Sequence, residues 1–292
     1  MTPSNRRAFL RNGVLALAGL GSRLPLPADE TPAPLLRIGL FTDLHYADKE
    51  AAGRRFYRDT LRKLDEAVDH CNGISPGFVV ELGDFIDRAE SVEQELAWLR
   101  TIEERYARLQ APRHYVLGNH CVDTLTKAEF AEHTGASASA HYGFEEKGFR
   151  FVVLDACYKE DGTPYGRKNF HWQDSIIPEH ELRWLESELA SSSAPTIVFA
   201  HQRLDLEEHH TVRNAAEVRR ILEKSGRVAA VFQGHSHKND YQQIEGIHYT
   251  TLAAMVEGEG LENNAYATLD LLPDGSLKLH GFHVQLSREF AA

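Results

Sequence analysis

Five short apolar runs, each ending on side chains able to bind a metal or move a proton, constrain this chain more than any other feature. Leu35 to Thr42 runs into Asp43 and His45, Phe78 to Gly83 into Asp84, and His114 to Asn119 into His120. Thr196 to Ala200 runs into His201, and Val228 to Gly234 into His235 and His237. The runs are rich in Val, Ile, Leu and Phe and are separated by helix-like stretches, the pattern of parallel strands covered on both faces. In open α/β sheets the carboxyl ends of strands converge on one rim, where residues distant in sequence meet. Function is expected at that rim, and the potential ligands there suggest a metal site.

The stretches between the runs support an α/β architecture. Phe56 to Cys71 carries an apolar stripe of Phe56, Leu61, Leu64 and Val68, and Val92 to Leu109 places Leu96, Leu99, Ile102, Tyr106 and Leu109 on one side of a helix. Phe144 to Ala156 differs: Glu146-Lys147-Gly148 is a turn signal between two strand-like pieces, so a hairpin is predicted to begin a second sheet. Helices are predicted over Glu179 to Ala190, opened by Pro178, and over Ala215 to Lys224. Hairpin signals at Glu245-Gly246 and Pro273-Asp274-Gly275 complete the expectation of two sheets with helices outside.

Charge limits the partners. Of the 292 residues the first 28 contain Arg6, Arg7, Arg11 and Arg23 and no acid, which leaves 28 basic against 43 acidic residues, a formal charge of −15, in the rest. Nucleic-acid binding rests on clustered Lys and Arg and is not expected. An acidic body facing an anionic substrate needs local positive charge, which bound divalent metal supplies. Cys71, Cys121 and Cys157 are too few and too scattered for a disulfide framework or a Cys-rich zinc site.

At the amino terminus, Ser4-Asn5-Arg6-Arg7-Ala8-Phe9-Leu10, the apolar Val14 to Leu20 and a Pro-rich stretch resemble a twin-arginine export signal, with cleavage near Ala28 or Ala33. Residues 1–34 are accordingly read as signal and linker and 35–292 as the working domain, in a periplasmic or secreted bacterial protein that meets the twin-arginine translocation machinery. A basic tail or a short retained anchor is the alternative. The apolar run is too short to span a bilayer, and no later segment reads as transmembrane.

Asp43-Leu44-His45 alone is a weak signal. Followed in order by Gly83-Asp84-Phe85-Ile86-Asp87, Gly118-Asn119-His120, His201 and Gly234-His235-Ser236-His237, it becomes a strong one. This ordered set closely resembles the calcineurin-like metallophosphoesterase superfamily from about Arg37 to His237. The resemblance implies a double β-sheet sandwich flanked by helices, with two metals at the strand ends: Asp43, His45, Asp84 and His237 hold one, and Asp84, Asn119, His201 and His235 the other. Two close cations repel, so a shared carboxylate must bridge them, and Asp84 is the natural bridge. Mixed imidazole, carboxylate and amide ligands suit divalent or mixed-valence manganese, iron or zinc. The implied reaction is in-line attack on phosphorus by a metal-bound hydroxide, with His120 outside the metals as proton or hydrogen-bond donor. Neighbouring Asp123 is a candidate to orient His120, and Asp87 is read as a helix-start residue or as one behind the ligands, and not as a ligand. Related families carry an acid directly after this histidine. Here the residue is Cys121, read as a small buried filler.

The metal core does not choose among monoesters, diesters and diphosphates; outer loops do. Residues 157–178, with Tyr158, Lys159, Tyr165, Arg167, Lys168 and Trp172, and residues 202–214, with Arg203 and Arg213, are long enough to overhang the rim and hold a second phosphate and a base, or are ordinary solvated loops. Hydrolysis of small organic phosphate esters is the leading expectation. A manganese-dependent diphosphatase of the kind that cleaves ADP-ribose and CDP-alcohols is the second, and a metal-retaining binding module without turnover the third.

Overall fold

The first apolar run forms β1 (Leu36–Phe41), whose side chains are buried on both faces apart from Arg37, as expected of a central strand. It pairs in parallel with β2 (Phe78–Glu81) and antiparallel with β10 (Ala265–Leu271), in registers Ile38 with Phe78 and Leu36 with Leu271. The computed structural model describes residues 32–171, 173–206 and 210–292, and the twin-arginine segment lies outside them. Residues Ala33–Ala292 form one compact unit. Adding β3 (Arg113–Tyr115), β11 (Leu277–His283) and β12 (Arg288–Phe290) gives a first sheet in the order β12-β11-β10-β1-β2-β3. The second sheet runs β4-β5-β6-β7-β9-β8, from β4 (Tyr142–Glu146), β5 (Phe149–Val153), β6 (Thr196–Phe199), β7 (Val228–Gln233), β8 (Asp240–Ile244) and β9 (Ile247–Thr251).

Both sheets are mixed. The strands that carry the predicted site, β1, β2 and β3 in one and β6 and β7 in the other, are mutually parallel within each sheet, and the antiparallel pairings come from hairpins and from the long-range pair β1–β10. All three predicted hairpins are present. Between the sheets, Ile38, Leu40, Phe78 and Val80 meet Phe151, Val153, Phe199 and Phe232 in one apolar layer. Outside the first sheet pack α1 (Thr60–Ile74), α2 (Val92–Tyr106) and α3 (Lys127–Thr134), whose Leu64, Val68, Leu99, Ile102 and Phe130 enter a second core. Outside the other, α4 (Glu179–Ala190) and α5 (Ala215–Ser225) bury Leu182, Leu185, Val218 and Leu222. The result is the helix, sheet, sheet, helix sandwich expected from the sequence.

Local chemistry sets the helix ends. Ser91 caps α2 by accepting from Gln94 N, and Thr126 and Glu129 form a reciprocal capping box at α3, an element the sequence reading missed. Left-handed Ser75, Gly135 and Gly226 close α1, α3 and α5. No helix among the described residues is long and apolar enough to cross a membrane.

Candidate metal centre

The loops leaving β1, β2, β6 and β7 are laced together by backbone hydrogen bonds beyond the sheets. Asp43 N donates to Gly83 O (2.9 Å) and His45 N to Asp84 O (2.7 Å), Gly234 N donates to His201 O (3.1 Å), and Val256 N reaches Asp43 O (3.1 Å). This lacing holds Asp43, His45, Asp84, His235 and His237 at positive φ, between 45° and 68°. Non-glycine residues rarely adopt that conformation, and strain of this kind collects at functional sites. Close approach also demands glycine. A Cβ on Gly118 would lie 2.2 Å from Asp84 N, and one on Gly234 2.1 Å from Thr42 Oγ1. Of Gly83, Gly118 and Gly234 only Gly83 has positive φ (106°), so Gly118 and Gly234 are required by close approach and not by backbone conformation.

Six of the seven predicted ligands and His120 form three overlapping groups: Asp43, His45 and His237; His45, Asp84 and His120; Asp84, His201 and His235. His45 Nε2 lies 3.1 Å from His237 Nε2 and 3.7 Å from Asp43 Oδ1, and His237 Nε2 is 3.4 Å from the same oxygen. Asp84 Oδ2 stands between the halves, 3.4 Å from His45 Nε2 and 3.1 Å from His201 Nε2, and His235 Nδ1 is 3.2 Å from His201 Nε2. The seventh, Asn119, lines the same cavity as Asp84, His120, His235 and His237.

The surroundings turn acceptor atoms inward. His201 Nδ1 donates to Leu82 O (2.9 Å) and His237 Nδ1 to Glu257 Oε1 (2.9 Å), which leaves an Nε2 lone pair on each ring facing the centre. Asp43 Oδ2 accepts from Thr42 Oγ1 (2.7 Å) and His235 N (3.0 Å), so its buried Oδ1 is left without a hydrogen-bond donor, as is the buried Oδ1 of Asn119. Lone pairs converging in a buried site suit a cation and little else, so the residues fit divalent metal. Burial opposes ionisation of Asp84, but His201, His120 and His45 outweigh it and hold the carboxyl well below its usual range. Burial pushes the His235 pKa well below its usual value and keeps that ring neutral.

His120 lies beside these groups, its Nδ1 2.6 Å from Asp87 Oδ1. Burial lowers its affinity for a proton, yet Asp84 and Asp87 more than offset this and raise its pKa. The orienting carboxylate is therefore Asp87 and not Asp123, because the loop after β2 turns Asp87 toward the ring while His45 approaches the same oxygen at 3.7 Å. Cys121 is fully buried and its Sγ accepts from Phe85 N (3.4 Å).

These groups form part of the lining of a cavity of about 980 Å³. Its other walls carry Lys49, Arg55, Arg88, Trp98, Lys168 and Phe170. Of the two loops expected to overhang the rim, only part does so. Tyr165 is buried and its hydroxyl donates to Asp174 O (2.5 Å), Arg167 is held by Glu129, and Arg213 by Glu160. Arg203 is buried between Asp205 and Asp240, Lys159 faces Asp161, and Tyr158 lies under Lys127. Trp172 lies outside the described residues. Missed from the sequence were Arg55 and Arg88, and Glu257 behind His237. A sixth apolar run, Ile247 to Val256, ends on Glu257 at the same rim and was the signal that marked it. Arg55 and Arg88 had no such signal.

The model of the calcineurin-like phosphoesterase family matches residues 36–239. A manganese-dependent ADP-ribose/CDP-alcohol diphosphatase of Arabidopsis thaliana is 27% identical over 77% of this chain and 87% of its own. A probable cyclic nucleotide phosphodiesterase of a Pseudoalteromonas species is also 27% identical, over 71% of this chain and 73% of its own. Among solved structures, a dimetal phosphatase from Danio rerio superposes with a TM-score of 0.78 at 21% identity, covering 88% of this chain and 99% of that one. With the strand order, the convergent ligand atoms and the family match in agreement, the chain belongs to the calcineurin-like phosphoesterase family and is a metal-dependent phosphoric ester hydrolase.

Proposed function

We propose that this protein hydrolyses the phosphoric anhydride of small nucleotide-like diphosphates, using two divalent cations, with manganese the natural choice. Asp43, His45, Asp84 and His237 would hold one ion, and Asp84, Asn119, His201 and His235 the other, with Asp84 shared. The observation that carries the reading is the cavity: a floor of ligand atoms, walls that include Arg55 and Arg88, and the aromatic faces of Trp98 and Phe170. Such a pocket has room and charge for more than a simple monoester. The sequence alone ranked small phosphate esters first. The cavity, and the diphosphatase activity named for the Arabidopsis relative, favour the reverse order.

When bound, the cations supply Lewis-acid charge to the phosphoryl oxygens and an activated water. Water adds to one phosphorus, the bridging P–O bond breaks, and the other phosphate departs with the bridging oxygen. His120 is the residue to protonate that oxygen. Asp87 holds its Nδ1, which leaves Nε2 for the pocket and favours the protonated ring. Phe170 lies edge-on to His120 on the same wall, with ring centroids 6.1 Å apart.

The test is a side-by-side assay with Mn²⁺ of ADP-ribose, CDP-choline, 3′,5′-cyclic AMP, bis-p-nitrophenyl phosphate and p-nitrophenyl phosphate. The reading expects the highest kcat/KM on the two diphosphates, and a loss on the order of 100-fold or more in His120→Ala. A preference for cyclic AMP would replace it with the phosphodiesterase activity named for the Pseudoalteromonas relative. Turnover of none, with metal bound, would leave the binding module.

A further inference from the structure

We infer that Arg55 is the residue that takes the second phosphate of the substrate, and so sets the preference for diphosphates over monoesters. The inference rests on the diphosphatase reading. Its first support is placement. Ala52 and Arg55 exchange backbone hydrogen bonds (both 3.0 Å), Phe56 N donates to Val256 O (2.9 Å) and Gly258 N to Arg54 O (2.8 Å). Arg55 thus bridges Glu257, the residue that holds His237, and stands on a ledge built into the wall of the cavity. From there its charge reaches both His120 and His237.

The second support is what the guanidinium lacks. Neighbouring arginines are committed to carboxylates: Arg54 to Glu257, Arg58 to Asp48 and Glu50, and Arg62 to Asp59. Among the other wall cations, Lys49 is tied to Asp87 and Lys168 to the backbone of Glu90, while Arg88 is exposed and keeps its charge hydrated. Arg55 is half-buried beside Tyr57, and no carboxylate among the described residues pairs with it. A partly desolvated cation with five fixed donors and no anionic partner is costly unless an anion arrives, and a phosphate matches its fork. In a diphosphate whose first phosphoryl group lies at the metal floor, the second is one bridging oxygen away, within reach of that wall. A monoester has nothing to offer there.

The experiment uses the full chain with Mn²⁺ and compares wild type with Arg55→Ala and Arg55→Lys, each checked for an unchanged melting temperature. The first readout is the ratio of kcat/KM for ADP-ribose to that for p-nitrophenyl phosphate, which should fall at least tenfold in R55A and recover in part in R55K. The second is inhibition of p-nitrophenyl phosphate hydrolysis. The Ki of α,β-methylene-ADP, a diphosphate that cannot be cleaved at its bridge, should rise about tenfold relative to the Ki of inorganic phosphate. Unchanged ratios overturn the inference. So does an equal loss on both substrates, because Arg55 would then act only through His120 and His237. A wild type that cleaves the monoester but no diphosphate sinks the functional reading, and the inhibition ratio still decides separately whether Arg55 binds a second phosphate.

Discussion

At the scale of single residues, the site depends on what is missing as much as on what is present. Gly118 has an ordinary backbone, and only the 2.2 Å gap between its absent Cβ and Asp84 N explains the glycine. Gly118→Ala must push Asp84 or its strand end aside, because the atom it meets is backbone. Overpacking of this kind costs about 1–3 kcal/mol, and the expected result is a lower melting temperature together with a rise of tenfold or more in the Mn²⁺ needed for half-maximal activity. An unchanged Mn²⁺ requirement would show that Asp84 does not need this close approach. The candidate ligands and their order were legible in the sequence because acids and histidines at strand ends are read directly. The partners of those residues were not, since Asp87 and Asp123 are both near His120 in sequence and only the path of the loop after β2 selects Asp87.

Among elements, α1 does more than cover the first sheet. Its Lys63 is fully buried and faces four carbonyls, Met255 O (2.9 Å), Glu257 O (2.9 Å), Gly258 O (2.7 Å) and, at longer range, Asn263 O (3.4 Å), and burial lowers its pKa to about 8. The helix thereby anchors the loop that presents Glu257 to His237. Lys63→Met keeps the apolar stem but orphans those carbonyls. It should lower stability by roughly 1–3 kcal/mol in urea unfolding and weaken Mn²⁺ affinity by loosening Glu257. Loss of stability with metal affinity intact would confine Lys63 to packing. On α2, buried Glu95 accepts from Ala89 N (2.9 Å), Thr124 N (3.1 Å) and Leu125 N (3.1 Å), tying together two loops that flank the cavity. Periodicity located both helices but not these tasks. A charged residue on a helix reads as solvent-facing until the loop that buries it is known.

For the whole molecule, the two sheets meet at their edges through His114 of β3, whose ring stacks on Phe144 of β4 with centroids 4.1 Å apart, while Tyr142 lies within hydrogen-bonding distance of Nδ1 (3.3 Å). Burial pushes the His114 pKa down to about 4. The folded state therefore binds fewer protons than the unfolded one between that value and the ordinary histidine value near 6.5. Stability from this group is complete above about pH 6.5 and is lost as pH falls toward 4, by at most about 3 kcal/mol. Replacing His114 with Phe should flatten that part of a melting-temperature profile, and an unaltered slope would assign it to other groups. Export is proposed for the same chain: Arg6→Lys with Arg7→Lys should leave the protein in the cytoplasmic fraction, and periplasmic recovery of the double variant would rule out the twin-arginine route. The sequence by itself determined the alternation of strands and helices, the two sheets, and the identity and order of the residues at the strand ends, because periodicity and residue type act over a few positions. It could not determine which charged loop residues are spent on one another and which face the cavity. Arg203 and Arg213 read as candidates to hold a phosphate and Arg55 did not, until the fold brought carboxylates to the first two and a backbone ledge to the third. Pairing between residues tens to hundreds of positions apart is set by chain topology, so the acids and histidines that converge at the strand ends were readable in advance and the cations that line the cavity above them were decided only in three dimensions.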